Sequence, residues 1–128
     1  MAKKILIIDD DADFTEACKI FLEASGYQVA FEIQEREAID KVRSFKPDVI
    51  ILDIKMQTET GGFDIADKIR EDPELYRIPV VFLTGYFQRV ALSGKEGEVI
   101  QRWQNVKGVL DKPVKPAVVL ALIHQIES

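Results

Sequence analysis

The sequence has one cysteine, one histidine, no excess of positive charge and no long apolar run. A lone Cys18 cannot close an internal disulfide. Beside Phe14, Phe21 and Leu22 at helical spacing it reads as a small buried hydrophobe. His124 has no Cys or His near it in sequence with which to hold a metal. The apolar runs are far shorter than the roughly 20 residues a membrane span needs. Lys3-Lys4 leads through a short apolar run straight into aspartates, which is not a secretory signal. With 17 Lys+Arg against 22 Asp+Glu the net charge is -5, which argues against direct contact with nucleic acid. No repeat, low-complexity stretch or linker divides the chain. These absences leave one domain over residues 1–128, with the cytoplasm as the expected compartment.

What the chain does have is rhythm. Strand-like runs begin near Lys4, Tyr27, Asp48, Pro79 and Val106, roughly 20 to 30 residues apart, leaving room for a helix each time. The first, third and fourth runs are almost continuously apolar, as strands covered on both faces are. The second is mixed and suits a sheet edge. Between them lie helical stripes: Phe14, Cys18, Phe21 and Leu22; Ala38, Ile39, Val42 and Phe45; Phe63, Ile65, Ala66 and Ile69; and, after Pro116, Val119, Leu122, Ile123 and Ile126. Asp13 with Glu16 resembles a capping box and Gly26 a helix stop. The stretch from Tyr86 to Gln104 is broken by Ser93-Gly94-Lys95-Glu96-Gly97, after which Val99, Ile100 and Trp103 form a short stripe.

Polar residues stand where the apolar runs stop. Asp9-Asp10-Asp11 succeeds the first run, Asp53 ends the third, Thr84 ends the fourth, and the last passes through Asp111 to Lys112-Pro113. An open parallel sheet binds its ligand outside the carboxyl ends of its strands, so these groups gather at one edge. Taken singly they are ordinary: an aspartate after a strand often caps the next helix, which suits Asp11 and Asp13. Together, Asp9, Asp10 and Asp53 repel one another unless a proton or a cation intervenes. Mg²⁺ favours one or two carboxylates with waters and phosphate oxygens. Lys112 adds positive charge and Thr84 a donor, so one carboxylate can act as nucleophile toward phosphorus.

Two designs place an aspartyl nucleophile on such a sheet. The haloacid dehalogenase type uses Asp-x-Asp after its first strand. Asp9-Asp10-Asp11 has that spacing, but the neighbouring residues Ala12-Asp13-Phe14 and the tail after Lys112 lack that family's other motifs. The second resemblance spans nearly the whole chain. Ile5–Asp11, Lys46–Met56, Ile78–Gly85 and Lys112-Pro113 resemble, in order, the motifs of the receiver domain of two-component response regulators.

That resemblance implies a flavodoxin-like α/β three-layer sandwich, with a five-stranded parallel sheet of order 2-1-3-4-5 and about five helices. It implies Asp53 as phosphoacceptor and Asp9, Asp10 and Asp53 about Mg²⁺, with the backbone carbonyl of Lys55 a further ligand. Lys112 would pair with the phosphoryl oxygens, Thr84 would hydrogen-bond them, and the Lys112–Pro113 peptide would be cis. Phosphate would come from a sensor histidine kinase or a phosphotransfer protein, and the product would engage an unspecified downstream protein. Such a domain is regulatory, with at most weak self-phosphorylation and self-dephosphorylation, and is not a metabolic enzyme. The resemblance also allows dimerisation on phosphorylation. The alternative is a pseudo-receiver that keeps the fold as a protein-interaction module without phosphate.

The chain departs from the family in three places. Gln57 stands where proline usually comes after Met56, which predicts a looser loop. Val109 occupies the position, three before the lysine, that usually carries Tyr or Phe, so the ring that moves with the threonine is absent; Tyr86 or Phe87 would have to replace it. Extra residues around Leu92 to Glu98 predict an atypical fourth helix. Tyr86, two places after Thr84, is expected to shield an aspartyl phosphate from water.

Overall fold

The computed structural model describes residues 3–85 and 96–127, with backbone alone at 96, 97 and 100. Five parallel strands, β1 (Lys4–Ile8), β2 (Gln28–Glu32), β3 (Val49–Asp53), β4 (Val80–Thr84) and β5 (Val106–Asp111), pair in the order β2-β1-β3-β4-β5. The helices among the described residues are α1 (Ala12–Ala24), α2 (Ala38–Phe45), α3 (Gly61–Glu71), α4 (Glu96–Arg102) and α5 (Pro116–Glu127). A single 3₁₀ turn, Glu35–Glu37, precedes α2. This is the predicted flavodoxin-like topology, with the mixed strand β2 at an edge.

Period-two alternation divides the core in two. Leu6, Ile8, Ile50, Leu52, Val80 and Phe82 pack with α2, α3 and α4. Ile5, Ile7, Val49, Ile51, Val81 and Leu83 pack with Cys18 and Leu22 of α1 and with Val119 and Ile123 of α5. Because β1, β3 and β4 are covered on both sides, nearly every residue in them is buried, which explains their unbroken apolar runs. Burial lifts the Cys18 thiol to about 11, helped by the charge of Asp9, so Cys18 is the inert core residue expected.

Helix ends obey local chemistry, and of the two aspartates suited to capping α1 only one takes that place. Asp11, not Asp13, is the N-cap of α1: its carboxylate accepts from Phe14 N at 3.1 Å. Asp13 lies in the first turn, where its charge favours the helix dipole. Gly26 ends α1 with φ 98, and the bonds from Gly26 N to Glu23 O and from Tyr27 N to Leu22 O form a Schellman motif. Lys46 closes α2 in the left-handed region just before Pro47, and Pro116 opens α5.

Candidate phosphoryl-transfer site

Three strand ends converge on one carboxylate–ammonium cluster. Alternation along β1 and β3 places Asp9 and Asp53 on the face of Ile7 and Ile51, the side covered by α1 and α5. Lys112 reaches in from the end of β5. Its Nζ lies 2.6 Å from Asp9 Oδ2 and 3.4 Å from Asp53 Oδ2. The same ammonium sits 5.1 Å from the centre of the Phe14 ring, whose face gives it an apolar wall. Lys112 N also donates to Thr84 O at 2.7 Å, tying the lysine to β4, and the Lys112–Pro113 peptide is cis as expected.

Asp9 is fully buried and Asp53 is 5% exposed, whereas Asp10 is open to solvent. Carboxylate oxygens of Asp9, Asp10 and Asp53 lie within 4.8 Å of one another, which suits a metal ion. Asp9 Oδ1 accepts from Asp11 N at 2.9 Å. Its Oδ2 has only the Lys112 ammonium beside it among the described residues. A buried oxygen in that condition is one that a hard cation satisfies, so the donor set fits Mg²⁺. Lys55 presents an exposed side chain 3.9 Å from Glu59 Oε1.

The electrostatics are those of crowded like charge. Burial raises the Asp53 carboxyl to about 7, reinforced by Asp9 and opposed by Lys112. Burial works to lower the Lys112 ammonium, but the bonds and charges of Asp9 and Asp53 outweigh it and the net direction is upward. The lysine therefore stays charged, and Asp53 is the group that responds to a proton.

Thr84 is not part of this cluster. Alternation places it on the opposite face, in line with Phe82. Its Oγ1 donates to Asp111 Oδ1 at 2.9 Å and more weakly to Leu110 O at 3.5 Å. Asp111 is its register partner across the β4–β5 pairing. Val109, half-buried, pairs opposite Phe82 within the core on that face. Phe63 and Trp103 stack there with centroids 5.1 Å apart, and the Phe82 ring meets Trp103 edge-on at 5.2 Å. Trp103 Nε1 donates to Asp67 Oδ1 at 3.0 Å, which fixes α4 to α3. Val99 and Trp103 of the expected stripe are buried. Tyr86, Phe87 and the extra residues before 96 lie outside the described residues.

The loop beside Asp53 corrects an expectation. Gln57 does not loosen it: Gln57 Nε2 donates to Ile33 O at 2.8 Å, and Gln57 Oε1 accepts from Glu35 N at 2.6 Å. Glu35 Oε1 returns the tie by accepting from Thr58 N and Thr58 Oγ1 at 3.1 and 3.0 Å. A side-chain strap thus joins the β2–α2 and β3–α3 loops where proline would have stiffened one of them. At Gly62 a Cβ would collide with the backbone of Asp53 and Ile54, so only glycine lets α3 start this close to the third strand's end. Asp111, Glu35 and Phe14 were not singled out as functional from sequence. For Asp111 the signal available was its place directly before Lys112; for Glu35 and Phe14 only tertiary packing reveals the contact.

Comparison with known proteins agrees with this geometry. The family model described as the response regulator receiver domain matches residues 5–124. The polar-differentiation response regulator DivK of Brucella anthropi is 29% identical over 89% of this chain and 87% of its own length. The chemotaxis response regulator CheY4 of Vibrio cholerae superposes with a TM-score of 0.81 at 26% identity, covering 98% of this chain and 99% of that one. The signal receiver domain of a signal transduction histidine kinase from Syntrophus aciditrophicus gives 0.76 at 28% identity, covering 98% and 89%.

Proposed function

We propose that this chain, which belongs to the response regulator receiver family, accepts a phosphoryl group on Asp53 in a Mg²⁺-dependent reaction and so changes its protein-binding surface. The observation that carries the reading is the pairing of Lys112 with both buried carboxylates, 2.6 Å from Asp9 and 3.4 Å from Asp53. An aspartate can attack phosphorus only if ionised and only if the incoming phosphoryl charge is met by positive charge. Asp9 and Asp10, with Asp53 and the Lys55 carbonyl, would hold Mg²⁺, which when bound supplies charge neutralisation at the phosphoryl oxygens. Lys112 would meet another phosphoryl oxygen from the far side and Thr84 would donate to a third. Gly62 and the Gln57–Glu35 strap keep the Asp53 backbone in place, so that little reorganisation is needed.

The donor would be a histidine kinase or phosphotransfer protein, and the recipient of the signal another protein. As a regulatory phosphoacceptor the domain would turn over its own phosphate only weakly. Incubation with Mg²⁺ and a small phosphodonor, then intact mass measurement, tests this. One phosphoryl group should add to wild type and none to Asp53→Asn. No gain in wild type, or an equal gain in Asp53→Asn, would favour a phosphate-independent interaction module instead.

A further inference from the structure

The hydroxyl that the proposed function assigns to the phosphoryl group is committed elsewhere. Thr84 Oγ1 donates to Asp111 Oδ1 at 2.9 Å, the closer of its two hydrogen bonds. A threonine hydroxyl has a single proton to give. Asp53 stands on the other face of the sheet, beside Lys112, so Thr84 cannot serve the phosphoryl group and Asp111 at once. Thr84 is fully buried and β4 is buried along its whole length, so water is a poor substitute partner for the hydroxyl.

We propose that Asp111 is a positioning residue that competes with the phosphoryl group for the Thr84 hydroxyl and holds Thr84 in its unphosphorylated setting. The inference rests on the phosphoacceptor reading. Parallel pairing puts Thr84 and Asp111 side by side, so the contact is built into the β4–β5 register rather than reached by a flexible arm. An ionised carboxylate is a stronger acceptor than a backbone carbonyl. Val109, two residues earlier on the same strand, has no ring to swing with Thr84. Where an aromatic would report the threonine's position, this chain places a charge that opposes its departure. Asp111 has other interactions as well, and what matters is the one proton of Thr84. Asp111 thereby sets how much of the phosphoryl group's binding energy is spent on moving Thr84.

A double-mutant cycle read by Mg²⁺-dependent binding of beryllofluoride, which mimics a phosphoryl group on a carboxylate, tests this. Asp111→Ala should tighten beryllofluoride binding about tenfold, equivalent to about 1.4 kcal/mol. Asp111→Asn, which keeps an acceptor without the charge, should give a smaller gain. In a Thr84→Ala background the Asp111→Ala gain should vanish. A gain of equal size in that background would mean that Asp111 acts only as a nearby negative charge and would overturn the proposal. Equal affinities for wild type and Asp111→Ala would overturn it too. A wild type that binds no beryllofluoride would instead overturn the phosphoacceptor reading, and this proposal with it.

Discussion

The two faces of the sheet meet the same ligand edge in different states of readiness. On the side of α1 and α5, Asp9, Asp53 and Lys112 are already in contact, and on the proposed reading they would need only a cation and a phosphoryl group. On the side of α2, α3 and α4, Thr84 is bound to Asp111, and behind it lies the packed slab of Phe82, Phe63 and Trp103. The difference teaches that preorganisation for chemistry and preorganisation for signalling are separable. A reaction is favoured by groups that do not have to move, whereas a signal requires one that does.

The largest expected effect comes from the signalling face. Trp103 is 2% exposed and touches two aromatic rings, so Trp103→Ala should cost about 3–5 kcal/mol of stability, checked by denaturant unfolding. It should leave phosphorylation of Asp53 intact at temperatures where the variant is folded. Loss of phosphorylation in the folded variant would break the separation of the two faces.

The next effect belongs to the chemical face and depends on pH. The Asp53 carboxyl is raised to about 7 from an ordinary 3.8, so the folded state holds a proton that the unfolded chain has released. The resulting stabilisation is complete below about pH 4 and is lost as pH rises through about 7. In metal-free buffer the melting temperature should therefore fall across that window. Mg²⁺ should restore it at the alkaline end, and Asp53→Asn should remove much of the dependence on both. A metal-free melting temperature that rises from pH 5 to 8 in wild type would contradict the raising of Asp53 by burial and by the neighbouring Asp9.

The smallest effect concerns the strap. Gln57→Ala removes two exposed hydrogen bonds and should cost about 1 kcal/mol or less, with slower Mg²⁺-dependent phosphorylation as the loop beside Asp53 loosens. Unchanged phosphorylation would show that Gly62 alone suffices to hold the Asp53 backbone.

The alternation of strands and helices, the edge position of β2 and the polar residues at the strand ends were legible because each depends on pattern: the apolar runs, their spacing and the polar residue that closes each one; the strand order came with the family resemblance. The Asp9–Asp53–Lys112 contact is a direct consequence of that order. Three things were not legible. Of the two aspartates suited to capping α1, Asp11 takes the cap and Asp13 falls in the first turn, because α1 starts earlier than the Asp13–Glu16 pair implies. Gln57 supports its loop through contacts with Ile33 and Glu35, more than twenty residues away, which no local rule about proline anticipates. The partner of Thr84 depends on which residue of β5 pairs with it, and the register shift between Val80 and Val81 hides this from simple counting.

The separation of the two faces can be measured with one residue, because Trp103 is the sole tryptophan. It touches Phe82, which lies two positions before Thr84 on the same face. Wild type and Thr84→Ala should be treated with Mg²⁺ and a small phosphodonor while intact mass and tryptophan emission are tracked together. Both proteins should gain one phosphoryl group, and only wild type should change its emission. An equal change of emission in the two proteins, once each carries its phosphoryl group, would contradict the assignment of chemistry to one face and reporting to the other.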